Sequence, residues 1–271
     1  MNPGDFDYIR RFVLQHSAIV LDDTKEYLVT SRLEPLAKRE GSGTLDELVR
    51  RLKTRAWGEL HEQVVEAMTT NETSFFRDGG PFEALRRQIL PALIKRAEPT
   101  RQLDIWSAAS SSGQEAFSVA MLIDHHFPAL SSWRVQILGT DLAQSMVQRA
   151  REGVYKQLEV NRGLPAPMLI KYFERHGLDW RVKEAVRRRT AFRQMSLTES
   201  WTSIPPMDVV FLRNVLIYFD VSTKRQILER VRKVLRPDGV LFLGSGETTL
   251  SLDDQFQPVQ FEKTLYYQLK K

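Results

Sequence analysis

Apolar positions recur at helical spacing along the first quarter of the chain. Phe6, Ile9 and Val13 share one face, and Tyr27, Leu33 and Leu36 define a second helix closed by Gly41. Thr44-Leu-Asp-Glu47 has the form of a capping box and opens a third helix, with Leu45, Leu48, Val49 and Leu52 on its inner side. A fourth runs from Gly58 to Met68, and nothing in this region reads as a strand. The octet Asn71-Glu-Thr-Ser-Phe-Phe-Arg-Asp78, followed by Gly79-Gly80-Pro81, breaks the pattern. It is either a ligand-facing loop or a helix boundary at which Asp78 or Thr73 caps backbone donors. A further helix spans Phe82 to about Lys95, with Pro91 and Pro99 marking a hinge.

From Leu103 the period changes. LDIWSAASSSGQEAFSVAML reads as a short strand, a turn of small residues and a helix beginning near Gln114. Val135–Thr140 is the next strand, with Asp141 at its end and a helix over LAQSMVQRAREG. Strands resume at 190–195 and 208–212, a helix covers 223–235, and a turn at Arg236-Pro-Asp-Gly239 leads into Val240–Leu243. Stretches 256–259 and 264–269 alternate as a closing hairpin. Strands alternating with helices imply an α/β domain on a mostly parallel sheet. The expected organisation is a small all-α domain over 1–80, a linker helix and hinge over 81–100, and a Rossmann-like domain over 101–271. A proline- and glycine-bearing stretch at about 151–190 interrupts the last as a small β-subdomain.

Composition narrows the class. The 271 residues are 42% hydrophobic and 27% charged, as in an ordinary soluble chain. No apolar run nears the roughly 18 residues of a membrane span, and the acidic, aromatic start MNPGDFDYIRRF is unlike a signal peptide. A cytoplasmic location without membrane insertion is expected, with a monomer as the default. The absence of cysteine excludes disulfides, thiolate metal sites and thiol nucleophiles, and the five histidines have no ligand spacing, so no metal is expected. The net charge of +5 is local in origin: residues 151–195 carry eleven Lys/Arg against five Asp/Glu. A basic face of this kind suits an acidic partner or simply solvent.

In an open parallel sheet the ligand lies beyond the carboxyl ends of the strands. Gly113 and Glu115 follow the first strand, Asp141 the second, and Arg213-Asn214 the strand DVVFL, so three stretches converge on one edge. An acid at Asp141 either accepts the hydroxyls of a ribose or caps the next helix. Glu115 either meets a ligand or complements a helix dipole. Tyr218 in NVLIYFD either serves the site or is an ordinary half-buried aromatic.

The stretches NETSFFRD, IWSAASSSGQEAFSVAM, ILGTDLAQSMVQRAREGVY and FLRNVLIYFD, in this order, resemble the chemotaxis receptor methyltransferases, the CheR family. The similarity spans nearly the whole chain. It implies a class I S-adenosylmethionine-dependent fold behind an all-α domain, and an enzyme forming glutamate γ-methyl esters on the cytoplasmic helices of chemoreceptors, with S-adenosylhomocysteine as product. By that resemblance Asn71, Thr73 and Arg77 reach the cofactor from the domain junction, Glu115 and Asp141 hold its amino-acid and ribose parts, and Arg213-Asn214 close the site. Ser196-Leu197 fall where the family contacts the adenine side through an Asn-Leu pair, so Ser196 is a departure. Ser110 and Gln114-Glu115-Ala116 stand where members commonly carry a cysteine and a Glu-Glu-Pro run.

Methyl transfer from a sulfonium to a carboxylate needs alignment and dryness rather than a base, since glutamate ionises near pH 4.3, its reference value of about that size. Arg77 is expected to orient the carboxylate and Tyr218 to stand near the methyl group. The basic insertion is expected to dock on the acidic helical bundle of a receptor array. By the same resemblance, members that dock on a receptor's C-terminal pentapeptide are longer between the positions of Tyr172-Phe173 and Arg181, so docking without the pentapeptide is expected. Two rival readings are an RNA ribose methyltransferase and a non-catalytic cofactor sensor. The chain has no cytosine-C5 nucleophile and no Asn/Asp-Pro-Pro-Tyr/Phe run, which disfavours C5- and amino-methylating nucleic-acid enzymes and leaves oxygen-methylating RNA enzymes open.

Overall fold

The computed structural model describes residues 1–270, and its contacts divide the chain into two units. The first comprises residues 1–70 with 218–223, the second residues 71–217 with 224–271.

In the first unit, helices Pro3–Ser17, Glu26–Arg39, Leu45–Thr54 and Glu59–Met68 pack through Ile9, Val13, Val29, Leu33, Leu48, Val49 and Val64, all buried. The caps follow the sequence: Asn2 accepts the Asp5 N–H at 2.8 Å, and Thr44 accepts that of Glu47 at 3.2 Å. Arg32 closes the unit by donating to the carbonyls of Met68 at 2.7 Å and Thr69 at 2.9 Å, two of the acceptors left open at a helix C-terminus.

The second unit is built on strands β1 (Gln102–Ala108), β2 (Arg134–Asp141), β3 (Val154–Tyr155), β4 (Phe173–His176), β5 (Asp179–Val182), β6 (Thr190–Gln194), β7 (Met207–Leu212), β8 (Leu235–Leu243), β9 (Phe256–Phe261) and β10 (Thr264–Leu269). Seven form one sheet of order β6-β2-β1-β7-β8-β10-β9, parallel except that β10 pairs antiparallel with both β8 and β9. β7 is buried at every residue, as a central strand covered on both faces must be. Chain order reverses between β1 and β7, which makes their exits the switch point at which such folds bind ligands.

Two expectations are corrected here. The octet 71–78 belongs with the second unit, because the contact boundary falls at Thr70/Asn71 and not near residue 80. The stretch 81–100 is no linker: one continuous helical run from Gly80 to Ala97 buries Leu85, Ile89, Leu90 and Leu93 in the core of the sheet domain. Pro91 sits inside that run and not at a hinge. The helix accommodates it by a π turn over Leu85–Ile89, where Leu90 bonds back to Leu85; the widened turn absorbs a ring that would clash with a regular helix.

The Arg236–Gly239 turn signal appears as a bulge within β8, where the pairing register with β7 shifts between Met207 and Val209. The insertion at 151–190 is a three-stranded antiparallel sheet, β3-β5-β4, with short helices Gln157–Asn161, Ala166–Tyr172 and Glu184–Arg187.

At the edge where the strands begin, buried Asp208 accepts the Asp104 N–H at 2.8 Å and pairs with Arg96 and with Arg236, the latter at 3.1 Å. Asp104 in turn takes Arg134 at 2.7 Å. Removing the Asp208 charge leaves two arginines short of an acceptor. Asp208→Asn is expected to lower stability by about 2–3 kcal/mol, measured as a shift in the denaturant midpoint, with affinity for S-adenosylhomocysteine unchanged.

Candidate active site

Three loops meet beyond the exits of β1, β2 and β7. The first, Ala109–Gly113, is made of residues too small to fill the space above the sheet. Ala109 and Ser111 take left-handed φ of 54° and 49°, and Gly113 has φ of 93°. A Cβ on Gly113 would lie 2.9 Å from Ala150 Cβ and 3.1 Å from Phe192 Cζ, so both conformation and space demand glycine. The helix Gln114–His126 starts there and carries Glu115 in its first turn.

Asp141, the last residue of β2, locks this loop. Its Oδ2 accepts the Ser111 N–H at 2.7 Å and its Oδ1 the Ala143 N–H at 2.9 Å. The carboxylate therefore braces the turns after both β1 and β2. Below the loop, Tyr155 donates its hydroxyl to the Ser112 carbonyl at 2.6 Å; complete burial pushes its own ionisation well above the usual range.

Arg213 leaves β7 with its side chain only 2% exposed. Its Nη1 binds Glu115 Oε2 at 2.9 Å, and its Nη2 binds Asp78 Oδ2 at 2.6 Å and the Arg77 carbonyl at 3.1 Å. Ser107 Oγ donates to the other oxygen of Glu115 at 2.7 Å. The guanidinium thus ties β1, the following helix and the octet together. Its Nε is buried and has no hydrogen-bond partner among the described residues.

The octet is a loop and not a capped helix end. The next helix has Gly79 at its cap position with no side-chain cap bond, and the Asp78 carboxylate goes to Arg213 instead. Phe75 is fully buried against Tyr155, edge to face with centroids 5.0 Å apart, and the Phe76 N–H is held by Ser118 Oγ at 2.9 Å. The Asn71 carbonyl accepts from Ser111 Oγ at 2.8 Å, so the octet and the β1 loop are directly joined. Thr73 is half-buried, and Arg77 donates to the Glu72 carbonyl at 2.9 Å. Glu72 bonds Arg162 of the insertion, which draws its carboxyl below the usual range.

At β6 the register pairs Gln194 with Asp141, and the Met195 N–H reaches the Asp141 carbonyl at 2.9 Å. Ser196 and Leu197 follow, both buried. The Ser196 hydroxyl turns to Thr198, 2.9 Å from its Oγ1, and the Leu197 carbonyl takes Arg230 at 2.9 Å. Asn214 has φ of 58°, and its N–H goes to Glu247 at 2.7 Å. Tyr218 is grouped with the first unit, where its carbonyl accepts the Val20 N–H at 2.9 Å.

The second unit therefore brings together Asn71, Arg77, Glu115, Asp141, Arg213 and Asn214. Reading the sequence missed Asp78 as a partner of Arg213 and gave no weight to Ser107, Tyr155 or Glu247. An acid just before a Gly-Gly pair looks like a cap, and only the fold reveals what it faces.

The donor set fits S-adenosylmethionine. Two carboxylates stand near the exits of adjacent strands, a turn of small residues lies between them, and the guanidinium Nε of Arg213 is buried with no hydrogen-bond partner among the described residues. Sheet order and site together define a class I S-adenosylmethionine-dependent methyltransferase. The match to family models goes further: residues 4–69 correspond to the CheR methyltransferase all-alpha domain and residues 71–265 to the CheR methyltransferase SAM-binding domain. The chain belongs to the CheR methyltransferase family.

Among its relatives, chemotaxis protein methyltransferase 1 of Pseudomonas aeruginosa is 45% identical over 98% of both chains. Chemotaxis protein methyltransferase Cher2 of Pseudomonas putida is 43% identical, also over 98% of both. Chemotaxis protein methyltransferase 1 of Vibrio cholerae is 40% identical over 96% of this chain and 94% of its own.

Because Gly113 is hemmed in and left-handed, Gly113→Ala should cost about 1–3 kcal/mol of stability. Calorimetry should also find weaker S-adenosylhomocysteine binding as the loop shifts, while the same change at exposed Gly177 leaves affinity intact.

Proposed function

We propose that this chain transfers the methyl group of S-adenosylmethionine to glutamate side chains on the cytoplasmic helices of chemoreceptors, giving γ-methyl esters. The observation that carries the reading is the Arg213 node, which binds the octet to Glu115 in a chain of the CheR family. Relatives named as chemotaxis protein methyltransferases, covered end to end, support the receptor as substrate.

When bound, the cofactor supplies an electrophilic methyl group on a sulfonium. Glu115 is assigned to its amino group and Asp141 to its ribose hydroxyls, each a carboxylate already oriented by backbone or side-chain donors. Asn71, Thr73, Arg77, Ser196, Leu197, Arg213 and Asn214 complete the cofactor site in this reading. Because the Ser196 hydroxyl is turned to Thr198, we assign the adenine-side contact to the backbone of 196–197.

The acceptor glutamate is ionised at neutral pH, its reference pKa being about 4.3, so no general base is assigned. Arg77 orients it. Whereas Arg213 commits both terminal nitrogens inside the protein, Arg77 places one on a single neutral carbonyl, and a planar fork with donors to spare suits an incoming carboxylate. For Tyr218 the position near the methyl group rests on the family resemblance alone.

Purified receptor incubated with tritiated S-adenosylmethionine should yield base-labile counts that distil as methanol. Stable counts on RNA would instead indicate ribose methylation, and no transfer to either would indicate a cofactor sensor. In the same assay Arg77→Ala should lower kcat by about 10²-fold or more while changing S-adenosylhomocysteine affinity far less; equal losses would make Arg77 a cofactor ligand only.

The insertion presents Arg175 stacked 3.9 Å over Trp180, with Arg181, Lys183 and Arg187 nearby in sequence. We assign it to docking on the acidic helical bundle without a C-terminal pentapeptide. Receptor methylation should therefore weaken as ionic strength rises past the range where the Debye length is about 10 Å. Titration with such a pentapeptide should give no micromolar binding.

A further inference from the structure

The exit of β7 is held by a carboxylate from outside the stretches that carry the family resemblance. Glu247 lies just beyond β8, in the loop Gly244-Ser-Gly-Glu247. Its Oε2 accepts the N–H groups of Asn214 and Gly244, each at 2.7 Å, and its Oε1 accepts those of Val215 at 2.8 Å and Ile217 at 3.3 Å. Four backbone donors from two loops thus converge on one side chain.

The fit is close. A Cβ on Gly244 would stand 2.6 Å from Asn214 Nδ2 and 2.8 Å from both Asn214 N and Glu247 Oε2, so only glycine lets the two loops approach. Asn214 turns through the left-handed region immediately after Arg213. Without an acceptor for its N–H and the next, that turn has nothing to hold it against the many other conformations a loop can take.

We propose that Glu247 is a positioning residue for methyl transfer: it clamps the 213–217 loop so that Arg213 and Asn214 are presented at one fixed angle, and it acts only through that loop. An ionised carboxylate suits the task because it is acceptor-only on both oxygens. A glutamine in its place turns an NH2 toward two N–H groups and satisfies at most one pair. The turnover part of this proposal rests on the function proposed above, whereas its effects on loop order and cofactor affinity do not.

The test compares Glu247→Gln and Glu247→Asp with wild type in the full chain. In Glu247→Gln, hydrogen exchange at Asn214, Val215 and Gly244 should rise by at least about tenfold, the factor that corresponds to 1.4 kcal/mol of lost local protection. Exchange in β1 and the body of β7 should stay as it was. Affinity for S-adenosylhomocysteine should fall, kcat on receptor should fall by about 10²-fold, and KM for receptor should hold. Glu247→Asp keeps the charge on a shorter arm, so its values should lie between the two, and it serves alone if the glutamine variant does not fold.

Protection lost evenly across the sheet would reduce Glu247 to a structural residue and overturn the proposal. So would a kcat loss with unchanged loop exchange, or loosened loop amides with unchanged kcat and affinity. If wild type fails to esterify any receptor, the exchange and affinity measurements still decide the clamp, and the failure then belongs to the substrate assignment.

Discussion

A guanidinium removed from water at the exit of β7 is the constraint on which the rest of the site depends. Burying a cation is costly unless acceptors replace its hydration, and Arg213 finds two carboxylates and a carbonyl. Those acceptors come from the octet and from the helix after β1, so satisfying one charge fixes three loops relative to each other. The balance of charge also matters. One arginine against Glu115 and Asp78 leaves a formal surplus of one negative charge, opposite in sign to the net charge of a ligand with a sulfonium, an ammonium and one carboxylate. Arg213 and Glu115 are largely buried while Asp78 is 43% exposed, so solvent screens the surplus negative charge and a cationic guest would offset it.

The two edges of the sheet use charge differently. Where strands begin, Asp104 and Asp208 are buried and meet Arg96, Arg134 and Arg236 in ion pairs. Where strands end, five residues of the site loops, Phe76, Asp78, Ala109, Ser111 and Asn214, have positive φ, a conformation that non-glycine residues adopt at some cost. Four of them are held by a neighbour from another segment: Ser111 by Asp141, Asn214 by Glu247, Phe76 by Ser118 and Asp78 by Arg213. Left-handed residues are denser at the exit edge, although Arg101 before β1 is another, and the carboxylates that brace them there lie where a ligand binds in such folds.

Much of this was legible in the chain. Periodicity alone located the helices of the first unit and the strands of the sheet, because a 3.6-residue or a 2-residue repeat follows directly from which face is buried. Glu115, Asp141 and Arg213 could be placed on one edge because strand ends in a parallel sheet must share it. The errors were tertiary in origin. Pro91 looked like a hinge because its effect within a helix depends on whether a π turn can absorb it, and that is decided by how Leu85 to Leu90 pack on the sheet. Asp78 looked like a cap because its partner is 135 residues away. Glu247 was silent for the same reason: a carboxylate serving backbone donors of a distant loop leaves no pattern in its own neighbourhood.

The insertion is less separate from the site than its place in the chain suggests. Tyr155 of β3 supports the Ser112 carbonyl, Phe75 of the octet stacks edge to face on Tyr155 and on Phe173 of β4, and Arg162 bonds Glu72. The root of the subdomain and the floor of the cofactor loop are therefore one packed cluster of aromatic rings. Close-packed interiors transmit displacement and do not absorb it. In the proposed reading, a receptor docked on the basic strands of the insertion is coupled through this cluster to the cofactor loop, and the packing that covers Phe75 contributes to the alignment an in-line transfer demands.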